Sequence, residues 1–122
     1  MAQILVIEDD EQIRGLIREV LEESGHEVLE SSDGEDGLKK FSLNPTYLVI
    51  TDILMPGMEG LETIRHLRTE VPTAKIIAIS GGLEGKGVNV LELAKKFGAT
   101  RILAKPFDLS QLLAAVEEVL VD

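Results

Sequence analysis

Four apolar segments of the chain each end beside a residue that could take part in chemistry. The acidic pair Glu8 and Asp9 follows the first segment, Asp52 follows another, Ser80 follows a third and Lys105 follows the last. If these segments are parallel strands of one sheet, their carboxyl ends lie along one edge, where ligands bind in open α/β sheets. The sequence therefore predicts one crevice that gathers carboxylates, a hydroxyl group and an ammonium group.

Such a crevice is suited to a divalent cation and to phosphoryl chemistry. Neighbouring carboxylates repel one another, and one of them takes up a proton unless a cation intervenes. Mg²⁺ prefers hard oxygen ligands and commonly bridges to phosphate. A carboxylate can also act as a nucleophile and form an acyl phosphate, while Lys105 and Ser80 could neutralise and hydrogen-bond the transferred group. The residue types alone leave open which carboxylate is the nucleophile.

The apolar segments alternate with segments in which apolar residues recur with the period of a helix. Strand and helix patterns alternate five times, which predicts an α/β fold with a doubly wound, five-stranded parallel sheet covered by helices on both faces. The whole chain, residues 1–122, is predicted to be one domain. Ile13, Leu16, Ile17, Val20 and Leu21 form the apolar stripe of the first predicted helix. The predicted buried face of the last helix is Leu109, Leu112, Leu113, Val116, Val119 and Leu120.

Local signals mark where several of these helices begin and end. Asp10 is predicted to cap the N-terminus of the first helix rather than to bind a metal ion. Asp108 and Gln111 match a capping box at the start of the last helix, with Asp in the place of Ser or Thr. Gly98 is predicted to follow the C-terminus of the helix that precedes the last strand.

Four basic side chains are predicted to be solvated rather than functional. His26 and His66 lie in polar surroundings, and neither has a second histidine at the spacing of a metal site. Arg14 and Arg18 fall on the polar side of the first predicted helix.

Composition excludes several classes of protein. The chain carries a net charge of −10, from 12 basic and 22 acidic residues, which argues against direct binding of nucleic acid or of an anionic membrane surface. It contains no cysteine, so disulfides, thiolate metal sites and cysteine nucleophiles are excluded. No segment has the pattern of a signal peptide or approaches the roughly 18 apolar residues that a membrane span requires. A cytoplasmic location is predicted.

Four motifs together resemble the receiver domain of two-component response regulators. They are ILVIEDD at 4–10, LVITDILMPGMEG at 48–60, IIAISG at 76–81 and AKPF at 104–107. The resemblance covers almost the whole chain, and it is specific because all four motifs occur in order and on the expected strands. It implies a flavodoxin-like (βα)5 fold with strand order 2-1-3-4-5.

The resemblance also implies a role for each residue of the crevice. Asp52 would be the phosphoacceptor, loaded from a phosphohistidine on a sensor histidine kinase or phosphotransfer protein, and Ser80 and Lys105 would hold the phosphoryl oxygens. The first helix would help to dock the kinase. Phosphorylation would alter binding of an unknown downstream protein at the face built by the fourth helix, the fifth strand and the fifth helix.

The implied cofactor is Mg²⁺, with Mn²⁺ as an alternative. Its ligands would be Asp9, Asp52 and the backbone carbonyl of Leu54, with Glu8 acting beside them through a water molecule. The peptide bond before Pro106 would be cis, which is rare outside X-Pro bonds and uncommon even there.

Two switch positions depart from the pattern that many family members share. Ser80 stands where many carry Thr, and because the hydroxyl group is kept, its role is expected to be kept. Ile102 stands where many carry Tyr or Phe, and it cannot report the switched state by turning an aromatic ring inward.

Three other functions are weighed against the switch. A phosphohydrolase of the dehalogenase type would need a second Asp two residues after the nucleophile, where this chain has Leu54. A flavin carrier would need a hydroxyl-rich phosphate loop where this chain has the acidic run 8–11. An adaptor that is never phosphorylated is disfavoured, because every group that the chemistry needs is present.

Overall fold

The chain folds into a five-stranded parallel sheet flanked by helices. The computed structural model describes residues 2–53, 59–80, 92 and 94–121. Within those residues the strands are β1 Gln3–Ile7, β2 Glu27–Ser31, β3 Leu48–Asp52, β4 Lys75–Ser80 and β5 Arg101–Ala104. The helices are α1 Glu11–Glu23, α2 Gly34–Leu43, α3 Glu59–Glu70 and α4 Leu109–Val121. Residues 94–97 are also helical.

The strand order is β2-β1-β3-β4-β5, and every neighbouring pair is parallel. The order reverses between β1 and β3, because the chain moves to one side from β1 to β2 and then to the other side from β3 onward. The carboxyl ends of strands at such a reversal form the crevice in which α/β sheets of this kind bind ligands. The predicted α/β fold and strand order are confirmed.

The burial of each strand follows its place in the sheet. The central strands β1, β3 and β4 are buried over almost their whole length, whereas the edge strands β2 and β5 are largely half-buried. Successive side chains of a strand point to opposite faces, so the apolar strands feed two separate clusters. One contains Leu5, Val49, Ile76, Leu61 and Ile64, and the other contains Ile4, Ile50, Ile77, Ile17 and Val116. Helices therefore cover both faces.

The predicted helix ends are confirmed. Asp10 Oδ1 accepts hydrogen bonds from the backbone N–H groups of Gln12 and Ile13, at 2.9 and 3.1 Å. Asp108 and Gln111 form the reciprocal capping box, since each backbone N–H donates to the side-chain oxygen of the other. Gly98 has a φ of +123°, and its N–H donates to the Ala94 carbonyl that ends the preceding turn.

Leu16, of the apolar stripe of α1, and Leu109, of the predicted buried face of the last helix, are exposed, and the prediction that Leu109 is buried is wrong. Leu16 is 53% exposed and Leu109 is 39% exposed. Both line a groove beside Pro106 and Phe107. The remaining members are buried or partly buried. The buried ones are Ile17, Leu21, Leu112, Val116 and Val119, and the partly buried ones are Ile13, Val20, Leu113 and Leu120.

The prediction that His26 is solvated is wrong. His26 is only 6% exposed, because its ring is enclosed between the start of β1 and α4. Its Nδ1 accepts a hydrogen bond from the Ala2 N–H at 3.2 Å, and its Nε2 lies 3.6 Å from Glu117 Oε2. His66, by contrast, is exposed as predicted.

Across the part of the chain that the structure describes, no helix combines the length and apolarity needed to cross a membrane.

Candidate functional site

Three acidic side chains meet where β1 and β3 end. One carboxylate oxygen from each of Glu8, Asp9 and Asp52 lies within 4.8 Å of the other two. Glu8 and Asp52 are buried, and Asp9 is exposed. The predicted convergence of these three carboxylates at one edge of the sheet is therefore present, and the mouth of the cluster is open to solvent on the side of Asp9.

Lys105 joins two of these carboxylates. Its Nζ lies 2.8 Å from Asp52 Oδ2 and 3.1 Å from Glu8 Oε1. The backbone N–H of Lys105 donates to the Ser80 carbonyl at 2.7 Å, which extends the pairing of β4 and β5 beyond the last strand residue. Ser80 itself is buried at the end of β4. The ends of β1, β3 and β5 thus bring the carboxylates and an ammonium group together, and Ser80 ends the neighbouring strand β4.

The pKa of Glu8 is raised from its usual 4.5 to about 7, first of all because the carboxyl group is buried. The hydrogen bond from the Asp10 N–H opposes this effect, the negative charge of Asp52 adds to it, and Lys105 opposes it again. A carboxyl group in these surroundings holds a proton far more readily than an exposed one, and a bound cation would favour its ionised form.

Lys105 responds to the same neighbours in the opposite sense. Burial by itself would lower the pKa of its ammonium group, but the hydrogen bonds and charges of Asp52 and then Glu8 outweigh burial and raise that pKa. Lys105 is therefore a fixed positive charge beside two carboxylates.

Three further predictions concern the peptide bond before Pro106, the switch position Ile102 and the backbone carbonyl of Leu54. The peptide bond between Lys105 and Pro106 is cis, as predicted. Ile102 lies on β5, half-buried against the cluster that contains Leu5 and Ile64. The backbone carbonyl of Leu54, predicted as a metal ligand, lies outside the described residues.

The residues at the site fit a hard divalent cation. Three carboxylates within reach of one point supply the oxygen ligands that Mg²⁺ prefers. Two of them are buried beside each other, an arrangement that is costly without a compensating positive charge. Lys105 supplies one such charge, and the exposed Asp9 side leaves an approach for a cation.

Arg14 is a residue of the site that the sequence prediction missed. It was predicted to be solvated, but its side chain is only 17% exposed, so that prediction is wrong. One guanidinium nitrogen donates to the Glu8 carbonyl oxygen at 2.8 Å, and Nε donates to Glu30 Oε1 at 3.1 Å. A signal was available, because side chains of a helix lean toward its N-terminus, and a long side chain in the first turns of α1 therefore reaches back to the end of β1.

Glu30→Gln is expected to lower the free energy of unfolding by on the order of 1 kcal/mol at about neutral pH. Burial alone would raise the pKa of Glu30, but hydrogen bonds and attraction from Arg18 and Arg14 outweigh it and hold that pKa below its usual 4.5. A lowered pKa in the folded state gives stabilisation that is present above the unfolded-state pKa and is lost as the pH falls through the folded-state pKa. Urea denaturation at several pH values should show the difference from wild type shrinking below about pH 4.5.

Glu27→Gln is the matched control for this measurement. Glu27 lies on the same strand, and its carboxylate accepts a hydrogen bond from the neutral Gln3 amide rather than from an arginine. Its replacement should leave the pH dependence of stability almost unchanged. A difference between wild type and Glu30→Gln that stays constant with pH would contradict the assigned cause.

Comparison with known proteins identifies the family. The sequence model of the response regulator receiver domain matches residues 4–117. The chain belongs to this family. Receiver domains are the phosphoaccepting switches of two-component signalling.

Relatives of this receiver domain include both single-domain and longer proteins. It is 33% identical over 118 residues to a probable chemotaxis protein CheY of Rhizobium etli, covering 96% of this chain and 91% of the relative. It is also 33% identical to PhoP of Bacillus subtilis, a transcriptional regulatory protein of alkaline phosphatase synthesis, covering 97% of this chain and 48% of that relative. The chain thus spans nearly all of one kind of relative and about half of the other.

Solved structures agree with this assignment. A response regulator receiver domain protein of Clostridium thermocellum matches the receiver domain with a TM-score of 0.87 and 34% identity, covering 98% of this chain and 94% of the other. The chemotaxis response regulator CheY4 of Vibrio cholerae matches with a TM-score of 0.86 and 28% identity, covering 98% of each chain.

Proposed function

We propose that Asp52 is the phosphoacceptor of this receiver domain, and that it takes a phosphoryl group from a phosphohistidine of a sensor histidine kinase or phosphotransfer protein. The main support is the contact of 2.8 Å between Lys105 Nζ and Asp52 Oδ2, inside a cluster of three carboxylates. Asp52 is buried in the crevice, and the Lys105 ammonium group lies against its side chain.

In the proposed reaction, a carboxylate oxygen of Asp52 attacks phosphorus, and a new O–P bond forms as the P–N bond of the phosphohistidine breaks. The electron pair of that bond stays with the imidazole nitrogen, and the donor's histidine leaves neutral because its other ring nitrogen is protonated before the transfer. Lys105 offsets the negative charge of the transferred group, and the Ser80 hydroxyl donates a hydrogen bond to one of its oxygens.

Glu8, Asp9 and Asp52 are the described residues that would hold Mg²⁺, with Mn²⁺ as a substitute and the Leu54 carbonyl as a further predicted ligand. When bound, the ion supplies positive charge that lets a phosphoryl group approach an acidic crevice. Asp52 would both help to hold the ion and act as the nucleophile.

The exposed apolar groove next to the site suits the phosphodonor protein. Leu16 and Leu109 line it together with Pro106, and it adjoins Lys105. A donor that carries phosphohistidine must bring its imidazole to Asp52, so a docking surface has to lie at the rim of the crevice. This groove is apolar and lies at that rim.

In the proposed function, the receiver domain acts as a switch rather than as an enzyme that turns over a free substrate, although it assists its own phosphorylation and dephosphorylation. A phosphoryl group adds negative charge and acceptor oxygens, which shift the equilibrium between two conformations. Ser80 and Ile102 are the proposed switch positions, and an unidentified downstream protein reads the change. We place residues 1–122 in one cytoplasmic receiver domain that contacts neither nucleic acid nor membrane directly.

Acetyl phosphate tests this function without knowledge of the kinase. We expect the wild-type protein to gain the mass of one phosphoryl group in intact-mass spectrometry when Mg²⁺ is present, and to gain none when the ion is chelated. Steady release of phosphate from an ester substrate, with no adduct, would favour a phosphohydrolase. Absence of an adduct at saturating acetyl phosphate and Mg²⁺ would favour an adaptor that is never phosphorylated.

A further inference from the structure

We propose that Arg14 is a positioning residue of the metal site, which holds the peptide group between Glu8 and Asp9 and thereby sets the direction from which Asp9 reaches the ion. The inference rests on the proposed function, because it takes these carboxylates to be metal ligands. Arg14 would touch neither the ion nor the phosphoryl group.

Every polar group of Glu8 has a partner in the structure. The contacts are Glu8 N–H to the Ser31 carbonyl at 3.0 Å, Asp10 N–H to Glu8 Oε2 at 3.1 Å, Lys105 Nζ to Glu8 Oε1 at 3.1 Å, and the Arg14 guanidinium to the Glu8 carbonyl at 2.8 Å. The contact from Arg14 is the shortest of the four. Because the Glu8 carbonyl and the Asp9 N–H belong to one rigid peptide plane, fixing the carbonyl also fixes the start of Asp9.

Arg14 acts at the end of the sheet, where the Glu8 N–H still donates to the Ser31 carbonyl but the Glu8 carbonyl accepts from Arg14. The pairing of β1 with both of its neighbours ends at Ile7, one residue before the Glu8 carbonyl. Glu8 is only 2% exposed, and a buried carbonyl needs a hydrogen-bond donor. Arg14 supplies that donor at the point where the strand gives way to the turn that carries Asp9.

Arg14 is itself held in place. Its Nε donates to Glu30 Oε1 at 3.1 Å, and the other carboxylate oxygen of Glu30 accepts from Arg18 at 2.5 Å. The Glu30 carbonyl accepts from Lys40 Nζ at 2.5 Å. A guanidinium group can satisfy a carboxylate and a carbonyl at once because its donors are fixed in one plane, whereas a lysine ammonium is a point charge on a flexible stem.

The electrostatic and positioning effects of Arg14 have opposite signs on cation binding. A positive charge near three carboxylates repels a divalent cation, so charge alone predicts that removing Arg14 tightens metal binding. If Arg14 instead holds Asp9 in the orientation that binds the ion, removing it weakens binding, as loss of a residue that orients a ligand commonly does. A purely structural role would change stability and leave the affinity of the folded protein unchanged.

Arg14→Met tests this inference, with Arg18→Met as its matched control. Both variants lose one positive charge from α1 and one partner of Glu30, but only Arg14 contacts Glu8. The dissociation constant for Mn²⁺ is measured from the electron paramagnetic resonance signal of the free ion, and that for Mg²⁺ by competition. We expect Arg14→Met to raise both constants on the order of tenfold, and Arg18→Met to leave them at the wild-type values.

Equal or tighter binding in Arg14→Met, measured on protein that circular dichroism shows to be folded, would overturn the inference. If Arg14→Met does not fold, Arg14→Lys takes its place. It keeps the charge but not the fixed pair of donors, so weaker binding would support positioning and wild-type binding would overturn it. If the wild-type protein binds Mn²⁺ but gains no phosphoryl group, only the proposed function is contradicted. If the wild-type protein is phosphorylated but the Arg14 variant binds Mn²⁺ with wild-type affinity, only this inference is contradicted.

Discussion

Asp52→Asn is expected to abolish the phosphoryl adduct that acetyl phosphate forms with the wild-type protein in the presence of Mg²⁺. Asn has nearly the shape of Asp, but its neutral amide has no anionic oxygen that could attack phosphorus. Lys105 keeps its second contact, with Glu8 Oε1 at 3.1 Å, so the ammonium group is not left without a carboxylate and the fold should persist. Intact-mass spectrometry should therefore find only the unmodified variant.

Asp10→Asn is the matched control for the loss of a carboxylate. Asp10 belongs to the acidic run 8–11 that borders the site, but its carboxylate caps α1 by accepting hydrogen bonds from the Gln12 and Ile13 N–H groups. Asn caps a helix about as well as Asp does, so this variant should form the adduct like wild type. An adduct on Asp52→Asn, or its loss in Asp10→Asn, would show that another residue of the run is the acceptor.

Gly60→Ala is expected to lower the free energy of unfolding by about 3 kcal/mol. Gly60 lies in the first turn of α3, where the helix passes directly against the end of β3. A Cβ atom on Gly60 would lie 2.2 Å from the Ile53 Cα and 2.5 Å from the Asp52 carbonyl oxygen. These are backbone atoms, so no side-chain rotation can relieve the overlap, and either the helix or the strand that carries Asp52 has to move. Urea denaturation measures the loss.

Gly15→Ala separates this clash from the general effect of replacing glycine in a helix. Gly15 lies in the middle of α1, and a Cβ atom there would meet nothing within 4 Å. Alanine is the better helix former, so this change should raise the free energy of unfolding by up to about 1 kcal/mol. Equal stability of Gly60→Ala and wild type would show that α3 does not need its close approach to β3.

Much of the fold could be predicted because its signals are local. The continuous apolar segments that become β1, β3 and β4 are typical of strands buried on both faces, and each is identifiable without knowledge of its neighbours. The same is true of the Asp10 cap and of the capping box between Asp108 and Gln111, whose partners are at most three residues apart. A parallel sheet then places all the strand ends on one edge, which is why the candidate site could also be predicted.

The predictions that failed depended on distant parts of the chain. An apolar stripe shows which side of a helix faces the core, but neighbouring elements decide how much of that stripe is buried. Leu16 and Leu109 are therefore exposed although they belong to such stripes. His26 has polar neighbours in sequence and is nevertheless buried, because Ala2 and Glu117 enclose its ring. Polar surroundings in the sequence do not report these long-range contacts.

The sequence by itself determined the alternation of strands and helices, the helix caps, and the set of charged groups that meet at the carboxyl edge of the sheet, because each of these follows from residue type and spacing. Only the tertiary structure decided that Lys105 contacts Asp52, 53 positions away, and Glu8, 97 positions away. It likewise decided that Arg14 turns from solvent to the Glu8 carbonyl. Hydrogen bonds between groups so far apart in the chain form only after the sheet has brought the strand ends together, so no local pattern specifies them.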